Sequence, residues 1–130
     1  MSERILIVDD NPVNLKLARV LLTVEGYDVQ TAPDAEQALR VLESFRPQLI
    51  LMDVQLPGMD GLELTRRLKR DPATRDILIC ALTAYAMKGD EERARLAGCD
   101  GYIAKPIDAT GLPLQVKSLL AGEGNAPRST

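Results

Sequence analysis

Short, continuous apolar runs alternate with segments of helical pattern along this chain, and this alternation constrains its fold more than any other feature. The predicted strands are 5–8, 27–32, 49–52, 77–82 and 102–104. The predicted helices are 12–25, 34–45, 62–70, 87–97 and 108–120. Continuous apolar runs are typical of strands that are buried on both faces. Because a helix follows each strand, the pattern predicts an α/β fold, a parallel sheet with helices on both sides.

Five strand–helix units are too few to close an eight-stranded barrel, so we expect an open, doubly wound (βα)5 sheet. Its predicted strand order is 2-1-3-4-5, as in flavodoxin-like sheets. The chain has 130 residues, the length of one domain, which we place at residues 1–121. Residues 122–130 are mostly small and polar, and we predict a disordered tail there.

Composition excludes several classes of function. The net charge of −3 and the pI near 5.0 argue against binding to nucleic acid. The longest apolar runs have four to six residues, which is too short to cross a membrane, and no signal-peptide core follows Met1, so we expect a cytoplasmic protein. The chain has no histidine. This excludes catalytic triads, metal sites and general bases that use a histidine side chain. Its two cysteines do not form a disulfide framework or a zinc site.

Polar side chains stand where four of the five predicted strands end. These residues are Asp9, Asp10, Asp53, Thr83 and Lys105. Ligands of open α/β sheets bind at the carboxyl ends of the strands, so these residues are candidates for one site. Two carboxylates about 4 Å apart repel each other by about 4 kcal/mol at an effective dielectric constant of about 20. A hard divalent cation offsets that cost, and Mg²⁺ is the usual choice where phosphate oxygens share the metal.

Lys105 and Thr83 complete a set of groups suited to phosphoryl transfer. The lysine can contact a phosphate as a point charge, and the threonine hydroxyl can donate a hydrogen bond. Taken singly, each residue has a plainer interpretation: Asp10 can be a helix cap, and Thr83 a strand-end hydroxyl bonded to backbone. Their combination at the ends of four strands favours a functional site.

From about Arg4 to Leu120, the sequence resembles the receiver domains of response regulators. The matching segments are Asp9–Asp10, Asp53–Gly61, Leu82–Ala84 and Lys105–Pro106. Residues 85–93 resemble single-domain cell-cycle regulators and the receivers of hybrid histidine kinases. The chain as a whole is similar to stand-alone regulators of the cell-cycle and chemotaxis types.

The resemblance implies that Asp53 accepts a phosphoryl group from a partner's phosphohistidine. Asp10, Asp53 and the backbone carbonyl of Gln55 would bind Mg²⁺, and Asp9 would hold a metal-bound water. Lys105 would pair with Asp53 and then with the phosphoryl oxygens.

The same resemblance implies a switch and a shaped site. Thr83 would bond the phosphoryl group, and Tyr102 would fill the space that Thr83 leaves. The small Ala84 would keep a path to the phosphoacceptor open. Lys105–Pro106 would be a cis peptide, and Pro57 and Gly61 would shape the loop after the phosphoacceptor.

The implied partners are a histidine kinase or histidine phosphotransfer protein and a downstream protein target, with no nucleic acid and no membrane. We expect a monomer or a weak dimer. On a helical wheel of about 100° per residue, Leu17, Ala18 and Leu21 suit the sheet. The predicted docking surface for the phosphodonor is Leu15, Arg19 and Leu22 on the first helix and Pro106 and Ile107 after the last strand. The alternative is that the last helix covers Leu15 and Leu22.

Two other functions remain open at this stage. A receiver fold can act as an adaptor that needs no phosphate, although the intact acid, threonine and lysine set argues against it. A hydrolase of the haloacid-dehalogenase kind also uses an aspartyl phosphate, but its nucleophile follows the first strand in an Asp-x-Asp pattern. The first predicted strand here ends in Asp-Asp-Asn-Pro. We therefore expect no enzymatic activity beyond the protein's own phosphorylation and dephosphorylation.

Overall fold

The computed structural model of the protein describes residues 3–83 and 88–122. The strands are β1 (Arg4–Val8), β2 (Asp28–Ala32), β3 (Leu49–Asp53), β4 (Leu78–Thr83) and β5 (Gly101–Ala104). The helices are α1 (Pro12–Val24), α2 (Ala35–Val41), α3 (Gly61–Arg70), α4 (Lys88–Ala97) and α5 (Gly111–Leu120). All strand pairs are parallel, and the order β2-β1-β3-β4-β5 confirms the predicted fold. Of these helices, none is long and apolar enough to cross a membrane.

The sheet separates two apolar layers. On one side, Ile5 and Ile7 of β1 pack in a cluster with residues of α1 and α5. On the other side, Leu6 and Val8 pack with residues of α2 and α3. The central strand β3 is buried at all five positions. Burial on both faces accounts for the continuous apolar runs and confirms their interpretation as interior strands.

Two helices differ in length from the prediction. The second helix ends at Val41 rather than Phe45, because the amide groups of Glu43 and Ser44 donate to carbonyl groups three residues back and tighten the last turns. The last helix begins at Gly111 rather than near Asp108, although the Asp108 carboxylate accepts the Gly111 amide. The predicted helix start at residue 87 lies outside the described residues. The domain boundary and the tail, of which only residue 122 is described, stay predictions.

The rotation of α1 about its axis corrects the predicted docking surface. Leu22 and Ala18 are fully buried, whereas Leu17 is 36% exposed. Leu22 belongs to the cluster that joins β1 and β3 to α5, so it is a core residue and offers no contact to a partner. Leu15 is half-buried against the same cluster. The neighbouring α5 therefore buries a wider face of α1 than the sheet alone would cover. This agrees with the alternative interpretation, in which the last helix covers Leu15 and Leu22.

Candidate functional site

Three aspartates meet at the carboxyl ends of β1 and β3. Asp9 directly follows β1 and is fully buried, whereas the adjacent Asp10 is exposed. Asp53 is the last residue of β3 and is 4% exposed. One carboxylate oxygen from each residue lies within 4.8 Å of the others. Because β1 and β3 are hydrogen-bonded neighbours, their ends bring the acidic groups together, as the sequence predicted.

The Lys105 ammonium group joins two of these aspartates. Its Nζ lies 3.0 Å from Oδ2 of Asp9 and 3.1 Å from Oδ2 of Asp53. The backbone holds the lysine at this position, since its amide donates to the Thr83 carbonyl over 2.7 Å. The peptide bond from Lys105 to Pro106 is cis, which confirms the expectation drawn from the resemblance.

Backbone amide groups fix the orientation of the two buried carboxylates. The Asn11 amide donates to Oδ1 of Asp9 over 2.9 Å, and the Gln55 amide donates to Oδ1 of Asp53 over 3.0 Å. Each is a local turn in which an aspartate bonds the amide two residues later. The remaining oxygen of each carboxylate is the one that faces Lys105.

The surroundings of the site raise the pKa values of both Asp53 and Lys105. Burial raises the pKa of Asp53 to about 6, and the nearby Asp9 charge adds to this effect, while the Gln55 amide and Lys105 oppose it. Burial alone would lower the pKa of Lys105, but Asp9 and Asp53 outweigh it and raise that pKa above its ordinary value. Asp53 is therefore a carboxylate whose charge is only partly compensated within the protein.

The loop between β3 and α3 depends on a glycine at position 61. A Cβ atom there would lie 1.9 Å from the Asp53 carbonyl oxygen, so no other residue fits without moving the backbone of the candidate phosphoacceptor. The Gly61 amide donates to the Val54 carbonyl, and the Asp60 carboxylate caps α3 through the Leu62 amide. These contacts support the predicted shaping role of Gly61.

The two predicted switch residues lie on adjacent strands. Thr83 ends β4, is buried, and pairs in register with Ala104 of β5. Tyr102 pairs with Ala81 and is half-buried against a small cluster that includes Ala94 of α4. Tyr102 also borders a cavity of about 60 Å³ beside α4. Ala84, which was expected to leave a path to Asp53, lies outside the described residues.

An open cleft of about 480 Å³ lies above the acidic site. Its described lining residues are Asp10, Asn11, Asn14, Asp53, Gln55, Leu56, Pro57 and Lys105. Gln55 thus lines the same cleft as Asp10 and Asp53, and the predicted role of its carbonyl as a metal ligand stays a prediction. The presence of Asn14 was not predicted, although helical periodicity could have indicated it, since residue 14 lies about one turn after the Asn11 cap of α1.

The donor set fits a hard divalent cation. The three clustered carboxylates supply only oxygen ligands, which Mg²⁺ prefers. Lys105 compensates one of their charges, and the buried Oδ2 of Asp9 accepts no hydrogen bond of good geometry from the described residues. This surplus of negative charge is consistent with a cation near this position.

The remaining predicted docking residues lie on α1 and in the segment after β5. Leu15 and Arg19 line a groove of about 560 Å³ together with Lys16 and Val20, between α1 and β2. After β5, Pro106 is exposed and Ile107 is half-buried against the core. The groove was not predicted, because it depends on how α1 is rotated against the edge strand.

Known proteins are similar to this chain in both sequence and fold. The family model for the response regulator receiver domain matches residues 5–117. The polar-differentiation response regulator DivK of Brucella anthropi is 46% identical over 120 residues, which cover 92% of this chain and 98% of that protein.

Solved structures agree with this assignment. A CheY-like response regulator receiver domain protein from Methanospirillum hungatei has a TM-score of 0.86 and 32% identity, and the match covers 95% of this chain and 97% of that one. The receiver domain of a sensor histidine kinase from Pseudomonas aeruginosa has a TM-score of 0.83 and 37% identity, covering 93% and 99%, with a magnesium ion coordinated in its active site cleft. Because the family match runs from β1 into α5, this chain belongs to the response regulator receiver domains of two-component signalling.

Proposed function

We propose that Asp53 accepts a phosphoryl group from the phosphohistidine of a histidine kinase or histidine phosphotransfer protein. The observation that carries this proposal is the Lys105 ammonium group, held between two buried carboxylates at the floor of an open cleft. In the transfer, a carboxylate oxygen of Asp53 forms a bond to phosphorus as the phosphorus–nitrogen bond breaks. The electron pair of the broken bond stays on the ring nitrogen, which leaves as imidazole.

The other site residues stabilise the charge that moves during transfer. Lys105 can follow the phosphoryl oxygens without leaving the site, since its Nζ already lies near both acids. Asp10, Asp53 and the Gln55 carbonyl would hold Mg²⁺, with Asp9 positioning a water of its shell. When bound, the ion neutralises negative charge between the phosphate and the carboxylates.

A small acyl phosphate separates this function from its alternatives. With Mg²⁺ and labelled acetyl phosphate, we expect at most one phosphoryl group per chain, on an acid-stable and base-labile acyl bond. Sustained release of many phosphates per minute would indicate a hydrolase, which we do not expect. Absence of any label would identify a phosphate-independent adaptor and contradict the proposal.

We further propose that Thr83 and Tyr102 couple the site to the surface near α4. When the Thr83 hydroxyl moves toward the phosphoryl group, it leaves space that the Tyr102 ring can fill. The half-buried position of Tyr102, next to a small cavity and to Ala94, supports this as a shift between two packings. The downstream partner would bind the face that changes.

A single fluorescent reporter can test this coupling, because the chain contains no tryptophan. In a Tyr102→Trp protein we expect acetyl phosphate to change the emission as the indole becomes more buried. Adding Thr83→Ala should leave labelling of Asp53 in place and remove most of that change. An emission change of equal size in both proteins would contradict the coupling.

We propose the groove beside α1 as the docking site for a helix of the phosphodonor. It begins at Pro12, two residues after Asp10, so a helix bound along it lies near the cleft. Leu15 and Val20 provide apolar contacts, and Lys16 and Arg19 favour a partner with acidic flanks. Pro106 and Ile107 would contact the same partner from the loop after β5. Leu22 has no part in this surface.

The groove predicts a donor-specific defect. Val20 is 51% exposed, so Val20→Asp should not disturb the core but should slow transfer from a phosphorylated histidine phosphotransfer protein by about 10-fold. Labelling by acetyl phosphate should not change. Leu96→Asp is the matched control, because Leu96 is an exposed apolar residue on α4. Equal slowing with both donors, or in both variants, would contradict the assignment.

A further inference from the structure

We infer that Asn14 is a positioning residue that accepts a hydrogen bond from the ring N–H of the incoming phosphohistidine. This inference rests on the proposed function of Asp53. Asn14 lies in the first turn of α1 and lines the cleft beside Asp10. Its side chain is half-buried, and within the described part of the chain its carboxamide has no hydrogen-bond partner.

The direction of transfer places the leaving ring near Asn14. In phosphoryl transfer the attacking and leaving atoms lie roughly in line across the phosphorus. Asp53 attacks from the floor of the cleft, so the imidazole leaves toward the mouth. The uncharged polar side chains that line the cleft are those of Asn11, Asn14 and Gln55.

Among these three carboxamides, Asn14 is best suited to accept. The Oδ1 of Asn11 already accepts the amides of Val13 and Asn14 as the helix cap. Gln55 is exposed on a loop, whereas Asn14 is held by the helix and is less exposed. An oxygen fixed at this place can orient the ring with little loss of conformational freedom.

The chemistry of the donor requires an acceptor there. A phosphohistidine that is protonated at its second ring nitrogen loses the phosphoryl group as neutral imidazole, so no proton needs to move during the step. The N–H of that ring needs an acceptor, and Asn14 Oδ1 would keep the ring protonated and aimed along the line of transfer. An acyl phosphate has no such N–H and gains nothing from Asn14.

Two small donors test the inference without a protein interface. We expect Asn14→Ala to slow labelling by monophosphoimidazole by about 10-fold, the size of a hydrogen bond to a charged group, and to leave labelling by acetyl phosphate unchanged. The readout is the ratio of the two rates, together with the Mg²⁺ concentration that gives half-maximal labelling. Val13→Ala, an exposed neighbour in the same turn, is the matched control.

Asn14→Asp keeps the acceptor oxygen but adds charge, so both rates should fall while their ratio stays close to that of the unchanged protein. An unaltered ratio in Asn14→Ala, or equal slowing with both donors, would overturn the inference. So would an Asn14→Asp ratio as low as that of Asn14→Ala. If the unchanged protein is labelled by neither donor, it is the proposed function that fails.

Discussion

Asp53→Asn is expected to lower phosphoryl labelling by acetyl phosphate by at least about 100-fold, because a neutral amide oxygen is a far weaker nucleophile than a carboxylate. The substitution keeps the shape of the side chain and its place at the end of β3. Labelling is measured with radioactive donor at saturating Mg²⁺. Asp28→Asn is the matched control, since Asp28 is an exposed acid at the start of β2. Retention of the original labelling rate would exclude Asp53 as the acceptor.

The same variant should be more stable than the original protein, which removes misfolding as an explanation for lost labelling. Folding raises the pKa of Asp53 from 3.8 to about 6, so the folded state binds a proton more tightly than the unfolded state. Stability contributed by this group therefore falls as the pH rises from about 4 to about 6, and the penalty is complete above that range.

In chelator at about pH 7.5, Asp53→Asn should raise the free energy of unfolding by about 1–3 kcal/mol. The gain should shrink toward zero near pH 4, where the carboxyl group is protonated in both states. Urea unfolding at the two pH values measures this. A variant less stable than the original protein at about pH 7.5 would contradict the burial argument.

Removal of divalent cations is expected to reduce labelling by acetyl phosphate on the order of 100-fold or more. A phosphate group that approaches Asp53 also meets Asp9 and Asp10, and the repulsion between each pair of unit charges is worth about 4 kcal/mol at about 4 Å and an effective dielectric constant of about 20. Lys105 alone offsets only part of that repulsion.

Excess chelator should therefore abolish labelling, and added Mg²⁺ should restore it. Asp10→Asn should raise the Mg²⁺ concentration needed for half-maximal labelling, because Asp10 is the exposed member of the acidic cluster. Unchanged labelling in excess chelator would mean that the carboxylates do not act through a metal ion.

The acidic site could be predicted because it depends on two local signals. Continuous apolar runs fix where the strands lie, and the carboxyl ends of neighbouring parallel strands must share one edge of the sheet. The convergence of Asp9, Asp53 and Lys105 can therefore be predicted without any knowledge of side-chain packing. The roles proposed for them rest on the resemblance to the family, and the experiments above test those roles.

The docking surface could not be predicted in the same way, because it depends on how α1 is rotated. Leu17 with Leu21 and Leu15 with Leu22 give two apolar lines that are equally plausible on an isolated helix. Only the packing of α5 against α1 decides that Leu22 is interior. The same dependence on tertiary contact left Asn14 unrecognised at the wall of the cleft.

The order of the strands also has a consequence for the nascent chain. The interior strand β1 is synthesised early, but Ile5 pairs with Leu49 on one side and Val29 on the other, and no two of the described strands form a local hairpin. Pairing between distant segments slows folding. Lys105 is made last among the charged residues of the site. A growing chain that has not yet reached Lys105 therefore lacks a complete acceptor site, and the site forms only when the last strand joins the sheet.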